Sequence, residues 1–155
     1  DIMKEVGNAM QFWQVAMRPG KPLAFGSIRG VPVFGLPGNP VSSMVSFEQF
    51  VRPSLLKMMG HRQLFRKQVR AVLEDDLAKK AGMRYFIRGQ VRWEAGRYYV
   101  KSTGEQGSGI LKSMVLANGL IVLPEEATFV SQGTGVPVQL LDKSLEQTEH
   151  PEAGQ

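Results

Sequence analysis

Two cations flank a short turn near the start of the chain, where Arg18 precedes Pro19-Gly20 and Lys21 follows it. Proline fixes the backbone of this turn, so the two positive charges are held at a nearly constant separation. Such a pair suits a phosphate or another oxyanion, which cationic side chains bind through charge-assisted hydrogen bonds. The same residues are also compatible with a surface turn whose cations are solvated.

A second turn, Pro37-Gly38-Asn39-Pro40, joins an apolar stretch to a long apolar helical pattern. Asn39 is expected to accept hydrogen bonds from the first free amides of the helix, and Pro40 suits the first helical position. Gly38 is expected to adopt a backbone conformation closed to other residues. A stiff helix N-terminus of this kind suits an anion or a closely approaching ligand, or it is simply a well-capped turn.

A third candidate binding site is the loop at residues 103–109, which contains three glycines together with Thr103, Gln106 and Ser108. An apolar segment follows, and it predicts one or two helical turns that end at Asn118-Gly119. Ser108 lies directly before that segment. It therefore fits either a helix cap or a contact to an anion.

The composition excludes several kinds of site. The chain has 155 residues, no cysteine, and only two histidines, His61 and His150. Disulfides and thiolate sites are therefore excluded, and a histidine-based metal site is not expected. The formal net charge of +5 is compatible with a phosphorylated ligand or a nucleic acid. Neither a membrane span nor a basic, apolar leader stands out in the sequence, so we expect a cytoplasmic protein.

The first 60 residues alternate between helical and strand patterns. Residues 1–10 have helical spacing, residues 12–17 read as a strand, and residues 23–27 and 31–36 read as short extended runs. Apolar residues at three- and four-residue spacing then predict an amphipathic helix over residues 41–59. We expect this helix to be interrupted near Pro53 and to stop at Gly60.

Beyond His61 the pattern changes to short strands that are separated by glycine or charged turns. The predicted strands are 65–73, 83–93, 97–101, 119–123 and 136–141. A hairpin turn is expected at Glu94-Ala95-Gly96. The fold class is therefore an α/β portion over residues 1–62, then a small all-β, barrel-like domain over residues 63–142. Residues 143–155 are polar and without pattern, which predicts a disordered tail.

Taken in order, the motifs resemble one family. They are Arg18-Pro19-Gly20-Lys21-Pro22, Gly35-Leu36-Pro37-Gly38-Asn39-Pro40, the loop 103–109 and the stretch 118–124. In this order they resemble the C-terminal half of the molybdopterin molybdenumtransferases, the bacterial MoeA proteins and the related domain of gephyrin. Arg18 stands where the family often has lysine, and Gln14 stands where some members have another lysine. Because the chain starts with Asp1 rather than methionine, we expect it to be part of a longer polypeptide.

The resemblance implies insertion of molybdate into adenylylated molybdopterin with Mg²⁺, by a homodimer. It places Asp1 and Arg18 among the catalytic residues, with Asp1 also a ligand of Mg²⁺, a metal that prefers oxygen ligands. It places the substrate-binding residues on both predicted domains: Lys21, Pro37, Gly38, Asn39, Pro40, Arg88 and Ser108. The first predicted domain would complete a molybdopterin-binding domain, and we expect little activity from this chain alone.

Two other functional classes are compatible with the sequence. A scaffold of the gephyrin type would hold a peptide on its β-domain and would show an exposed apolar groove. A basic β-barrel could bind RNA, but Trp93, Tyr98 and Tyr99 do not form an evident stacking platform with flanking cations. Nucleic acid is therefore not the expected partner.

Overall fold

The computed structural model describes residues 11–106 and 111–146. Its first part contains a three-stranded antiparallel sheet in the order β1-β3-β4, formed by Gln11–Gln14, Pro22–Ile28 and Val31–Gly35. Arg29 and Gly30 connect β3 to β4 with φ angles of 50° and 79°. Two positive φ values in a two-residue loop match the right-handed twist of a hairpin. The two extended runs predicted for this region are therefore neighbouring strands.

The single strand predicted over residues 12–17 is interrupted in the structure. β1 ends at Gln14, and a separate strand, β2 (Met17–Arg18), pairs in parallel with a strand of the second part of the chain. Between them, the Met17 amide donates to the Val15 carbonyl at 2.7 Å, which closes a tight turn. This turn redirects the chain, so that Arg18 leaves the first sheet.

The helical region begins at the predicted turn. It consists of α1 (Pro40–Ser46), a π-helical segment (Phe47–Val51) and α2 (Arg52–Met58). The Asn39 side chain accepts from the amides of Val41 and Ser42, at 3.2 and 3.4 Å, and this confirms the predicted cap. The expectation for Gly38 is wrong, because its φ lies outside the left-handed region and a Cβ there would meet open space. The capping residue Asn39 and the flanking Pro37 and Pro40 shape the turn, and no positive φ at Gly38 is needed.

The helix ends as the sequence predicts. Gly60 has a φ of 83°, a conformation that glycine adopts without steric cost. Pro53 lies at the start of α2, where a missing amide hydrogen is tolerated. The widened π-helical segment directly precedes this proline, and it is the interruption predicted near Pro53.

The second part of the chain is a closed barrel of five strands. Its strands are β5 (Gln68–Leu73), β7 (Arg84–Glu94), β8 (Arg97–Ser102), β9 (Gly119–Leu123) and β11 (Gly135–Leu140). They pair in the order β7-β8-β5-β11-β9, and the barrel closes because β7 also pairs with β9. The predicted α/β portion followed by an all-β barrel is therefore confirmed.

The connections of the barrel also follow local sequence. Ala95 and Gly96, with φ of 47° and 76°, join β7 to β8 at the predicted hairpin turn. A short helix, α3 (Leu111–Val115), precedes β9. Sequence analysis did not predict one further pair of strands, β6 (Leu77–Ala78) and β10 (Phe129–Val130). Each has only two residues, too few for an alternating pattern.

Two apolar clusters hold the chain together. The first fills the barrel and includes Val100, Ile121 and Val138, none of which is exposed. The second joins the two parts of the chain and consists of Met17, Val41, Val45, Phe86, Met114 and Leu120. Because Met17 and Phe86 belong to one cluster, their neighbours Arg18 and Tyr85 are held on the same side of the barrel.

The last described residues pack on the barrel. Lys143–Leu145 form a 3₁₀ turn, and the Tyr98 hydroxyl donates to the Leu145 carbonyl at 2.7 Å. The disorder predicted from residue 143 therefore does not include this turn, while residues 147–155 lie outside the described residues. None of the helices in the described ranges is long and apolar enough to cross a membrane.

Candidate functional site

A cleft of about 450 Å³ lies between the Arg18-Pro19 turn and residues 85–88 of β7. Four cationic residues line it, and none of the described lining residues carries a carboxylate. The cationic residues are Arg18, Lys79, Lys80 and Arg88, and the other lining residues include Tyr85 and Gln106. A cleft with this lining favours an anionic group such as a phosphate or an oxyanion.

The Tyr85 ring lies at the mouth of the cleft, near two cationic side chains. The Arg18 guanidinium lies 5.8 Å from the ring centroid of Tyr85, and the Lys79 ammonium lies 4.9 Å from it. The Lys79 Nζ also donates to the carbonyls of Met83 and Glu125, at 2.9 and 3.2 Å. The aromatic ring and these carbonyls hold two cations near each other, which reduces the cost of their mutual repulsion.

Arg88 forms the inner wall of the cleft and is only 1% exposed. Its Nε donates to the Ser113 hydroxyl at 3.1 Å, between two buried side chains. Burial lowers the pKa of Arg88, yet an arginine side chain stays protonated at neutral pH. Arg88 is therefore not a solvated cation on an outward-facing strand position.

Residues of the loop after β8 form hydrogen bonds with the backbone of Arg88. The Gln106 Oε1 accepts from the Arg88 amide at 2.8 Å, and its Nε2 donates to the Arg88 carbonyl at 3.2 Å. Thr103 adds a bond from its own amide to the Arg88 carbonyl and one from its hydroxyl to the Ser113 carbonyl. Thr103, Gln106 and Ser113 thus fix the position of Arg88 and tie α3 to β7.

The Arg18 turn rests directly on helix α1. Gly20 has a φ of 102°, and a Cβ built on it would lie 2.5 Å from the Ser46 Oγ. Ser46 is fully buried, and its hydroxyl has no hydrogen-bond partner among the described residues. Glycine is therefore required at position 20 by both the backbone conformation and the close approach of the helix.

The structure brings together only some of the predicted site residues. Arg18 and Arg88 line one cleft, whereas Lys21 is exposed and is not among the lining residues of that cleft. Pro37 lines a separate, mostly apolar cavity beside Trp13 and Leu23. The remaining residues of that turn, Gly38, Asn39 and Pro40, are not among the lining residues of the cleft either. Asp1 and Ser108 lie outside the described residues.

Several lining residues of the cleft were absent from the predicted site, among them Lys79, Lys80 and Tyr85. Adjacent lysines are common on solvated surfaces, and Tyr85 is one of several aromatic residues in the predicted strand 83–93. One signal was available, because the adjacent lysines directly precede a glycine-containing turn at residues 81–82. Gln106 was noted in its loop but was not assigned a role.

Two family models match the chain in sequence order. Residues 1–57 match the family described as "Probable molybdopterin binding domain", and residues 70–141 match "MoeA C-terminal region (domain IV)". Arg18 lies in the first match and Arg88 in the second. The cleft is thus lined by residues from both matched regions.

Individual relatives agree with these matches. A molybdopterin molybdenumtransferase of Haemophilus influenzae is 38% identical over 140 residues, which cover 89% of this chain and 34% of the relative. Molybdopterin molybdenumtransferase 2 of Mycobacterium tuberculosis is 40% identical over 131 residues, covering 84% and 32% of the two chains. The chain thus spans about a third of the length of these curated relatives.

Solved structures agree as well. The crystal structure of a molybdopterin biosynthesis MoeA protein from Pyrococcus horikoshii matches with a TM-score of 0.73 and 30% identity, over 91% of this chain and 34% of that one. A molybdenum cofactor biosynthesis protein from Pyrococcus furiosus matches with a TM-score of 0.68 and 34% identity, over 84% and 45% of the two chains.

Proposed function

Because this chain belongs to the MoeA family of molybdenum cofactor biosynthesis proteins, we propose that it is the C-terminal part of a molybdopterin molybdenumtransferase. The reaction is the insertion of molybdate into adenylylated molybdopterin, with release of AMP and the molybdenum cofactor. The chain contributes the cationic cleft, in which it holds the phosphorylated substrate or the incoming molybdate.

The main support for this proposal is that residues from both matched regions line the same cleft. Arg18 and Arg88 lie far apart in the sequence and in different matched regions, yet they line one cavity with Lys79 and Lys80. Both proposed substrates carry several negative charges on oxygen atoms. Guanidinium groups bind such oxygens with paired, directional hydrogen bonds, which also fix the orientation of the bound group.

The protein's task in this reaction is positioning and charge neutralisation. Exposed Arg18 meets the anion at the mouth of the cleft, while buried Arg88 supplies a fixed positive charge at its inner wall. Fixed charges need no rearrangement during the reaction, so they favour the bound geometry in which the reacting groups meet. The pterin's dithiolene sulfurs ligate the molybdenum, and the chain supplies no thiolate because it has no cysteine.

Asp1 is the residue proposed to bind Mg²⁺. Among the described residues, no group of three histidine, aspartate or glutamate side chains could hold a metal ion. The cationic lining of the cleft does not fit a divalent cation either. We therefore assign no step to Mg²⁺ on the described part of the chain.

The remaining assignments follow from the family. Ser108, two residues after Gln106 in the sequence, is proposed to bind the substrate, and the active protein is proposed to be a homodimer. The scaffold alternative is not favoured, because the relatives described above are named as transferases.

The test is reconstitution of an apo-molybdoenzyme with molybdate, using the longer polypeptide that contains this chain. Arg18→Gln should lower the rate by about 10- to 100-fold, the equivalent of one charge-assisted contact of about 1.5–3 kcal/mol. Arg97→Gln, on the β7–β8 hairpin, is the matched control and should stay within about twofold of wild type. Wild-type rates for Arg18→Gln, with an unchanged melting temperature, would contradict the proposed role of Arg18.

A further inference from the structure

A second cavity, of about 630 Å³, lies where the connection after α2 passes the last described turn of the chain. Its walls come from residues 62–67, from Arg52, and from Lys143 and Glu146. We refer to it as the linker cavity. It shares no lining residue with the cleft that contains Arg18 and Arg88.

Hydrogen bonds hold the walls of the linker cavity in place. The Arg66 guanidinium donates to both carboxylate oxygens of Glu48, at 2.9 and 3.0 Å, and to the Leu141 carbonyl at 3.1 Å. Arg52 donates to the Leu64 carbonyl at 3.2 Å. These bonds tie the linker to the helix on one side and to the end of β11 on the other. A ligand would therefore meet a largely preformed site.

The linker cavity carries a clear excess of positive charge. Five cationic residues line it, against one acidic residue, Glu146. The cationic residues are Arg52, Arg62, Arg66, Lys67 and Lys143. Even when Glu48 behind the wall is counted, an excess of three positive charges remains. Like charges at such a concave surface repel one another, and a bound anion relieves that repulsion.

An aromatic ring adds a second element of recognition. Phe65 lines the same cavity and is 71% exposed, although phenylalanine usually buries its ring. An exposed aromatic face beside cations can stack a planar base while the cations hold a phosphate. The volume also lies in the range of about 300–1,000 Å³ that is typical of small-molecule sites. We propose that the linker cavity binds a nucleotide, with its phosphates at Arg62 and Lys143 and its base on Phe65.

The experiment is calorimetric titration of this chain with ADP and, separately, with pyrophosphate, which lacks the base. The double variant Arg62→Gln/Lys143→Gln should weaken binding of both probes by about tenfold or more. Phe65→Leu should weaken ADP binding by about five- to tenfold and change pyrophosphate binding by less than about twofold. All three residues are exposed, so these variants should keep the wild-type melting temperature.

Two further variants separate this site from the cleft. Arg18→Gln weakens anion binding in the cleft, so the titrations are repeated in that background, where the double variant should still lower the remaining ADP binding by about tenfold or more. Lys101→Gln removes an exposed cation of β8 and should leave ADP binding within about twofold of wild type. Loss of all ADP binding in Arg18→Gln, or unchanged ADP binding in the double variant, would overturn the proposal. Single-stranded RNA binding more than about tenfold tighter than ADP, with a steep salt dependence, would also overturn it in favour of a nucleic-acid site.

Discussion

Substitution of Gly20 by alanine tests whether the Arg18 turn is held by its contact with helix α1. A Cβ at position 20 would lie 2.5 Å from the Ser46 Oγ, 3.0 Å from the Met17 methyl group and 3.5 Å from the Ser42 carbonyl oxygen. The Met17 methyl group ends a flexible side chain and can move. The Ser46 hydroxyl belongs to a fully buried side chain and can move much less.

Two separate costs are expected. The φ of 102° strains any residue with a Cβ, at about 1–2 kcal/mol. The contact with Ser46 adds an overpacking cost of about 1–3 kcal/mol. Gly20→Ala should therefore lower the free energy of unfolding by about 2–5 kcal/mol. Removing the Ser46 hydroxyl, which has no partner among the described residues, should cost less than about 1 kcal/mol by itself.

The assay is urea unfolding of the wild type, Gly20→Ala, Ser46→Ala and the double variant. Ser46→Ala removes the 2.5 Å contact and leaves the backbone strain and the milder contact with the Met17 methyl group, so the two substitutions should be coupled by about 1–3 kcal/mol. Gly30→Ala is the matched control, since Gly30 has a φ of 79° but open space around it. Its cost should not depend on Ser46. Additive effects of Gly20→Ala and Ser46→Ala would refute the close approach of the turn to α1.

Two further predictions concern the elements that support the cleft. Asn39→Ala should cost about 1 kcal/mol through loss of the helix cap, whereas its neighbour Gly38→Val should stay within about 0.5 kcal/mol in the same urea titration. Equal costs for the two would contradict the capped turn. Ser113→Ala should cost about 1–3 kcal/mol because it leaves the buried Arg88 Nε without this acceptor, and Ser113→Thr should recover part of that loss. A thermal melt of both variants measures this, and an unchanged melt for Ser113→Ala would contradict the role of Ser113.

The elements of the fold were largely predictable because their signals are local. Alternation of apolar and polar residues predicts the long barrel strands, and the turn residues Ala95-Gly96 predict the hairpin between β7 and β8. The cap at Asn39 and the stop at Gly60 follow from the residue types alone. Each of these features depends on a few consecutive residues.

The cleft was less predictable because it depends on long-range pairing. Arg18 lies near Tyr85 because β2 is not part of the first sheet and pairs with β7 instead. A two-residue strand carries no periodic signal, so its partner cannot be read from sequence. The prediction of positive φ at individual glycines is limited in the same way. Positive φ was expected at Gly38 but occurs at Gly20, where the helix that approaches it lies more than twenty residues further along the chain.

Arg18 and Arg88 are proposed to hold an oxyanion in one cleft. The most direct measurement is anomalous X-ray diffraction from crystals of the protein soaked in molybdate, because molybdenum scatters anomalously and its position can be located. We predict an anomalous peak inside the cleft, in contact with the Arg18 guanidinium group and beside the wall that contains the buried Arg88, and loss of that peak in crystals of Arg18→Gln. Anomalous peaks elsewhere on the molecule with none in the cleft, or a peak there that is unchanged in Arg18→Gln, would contradict the claim.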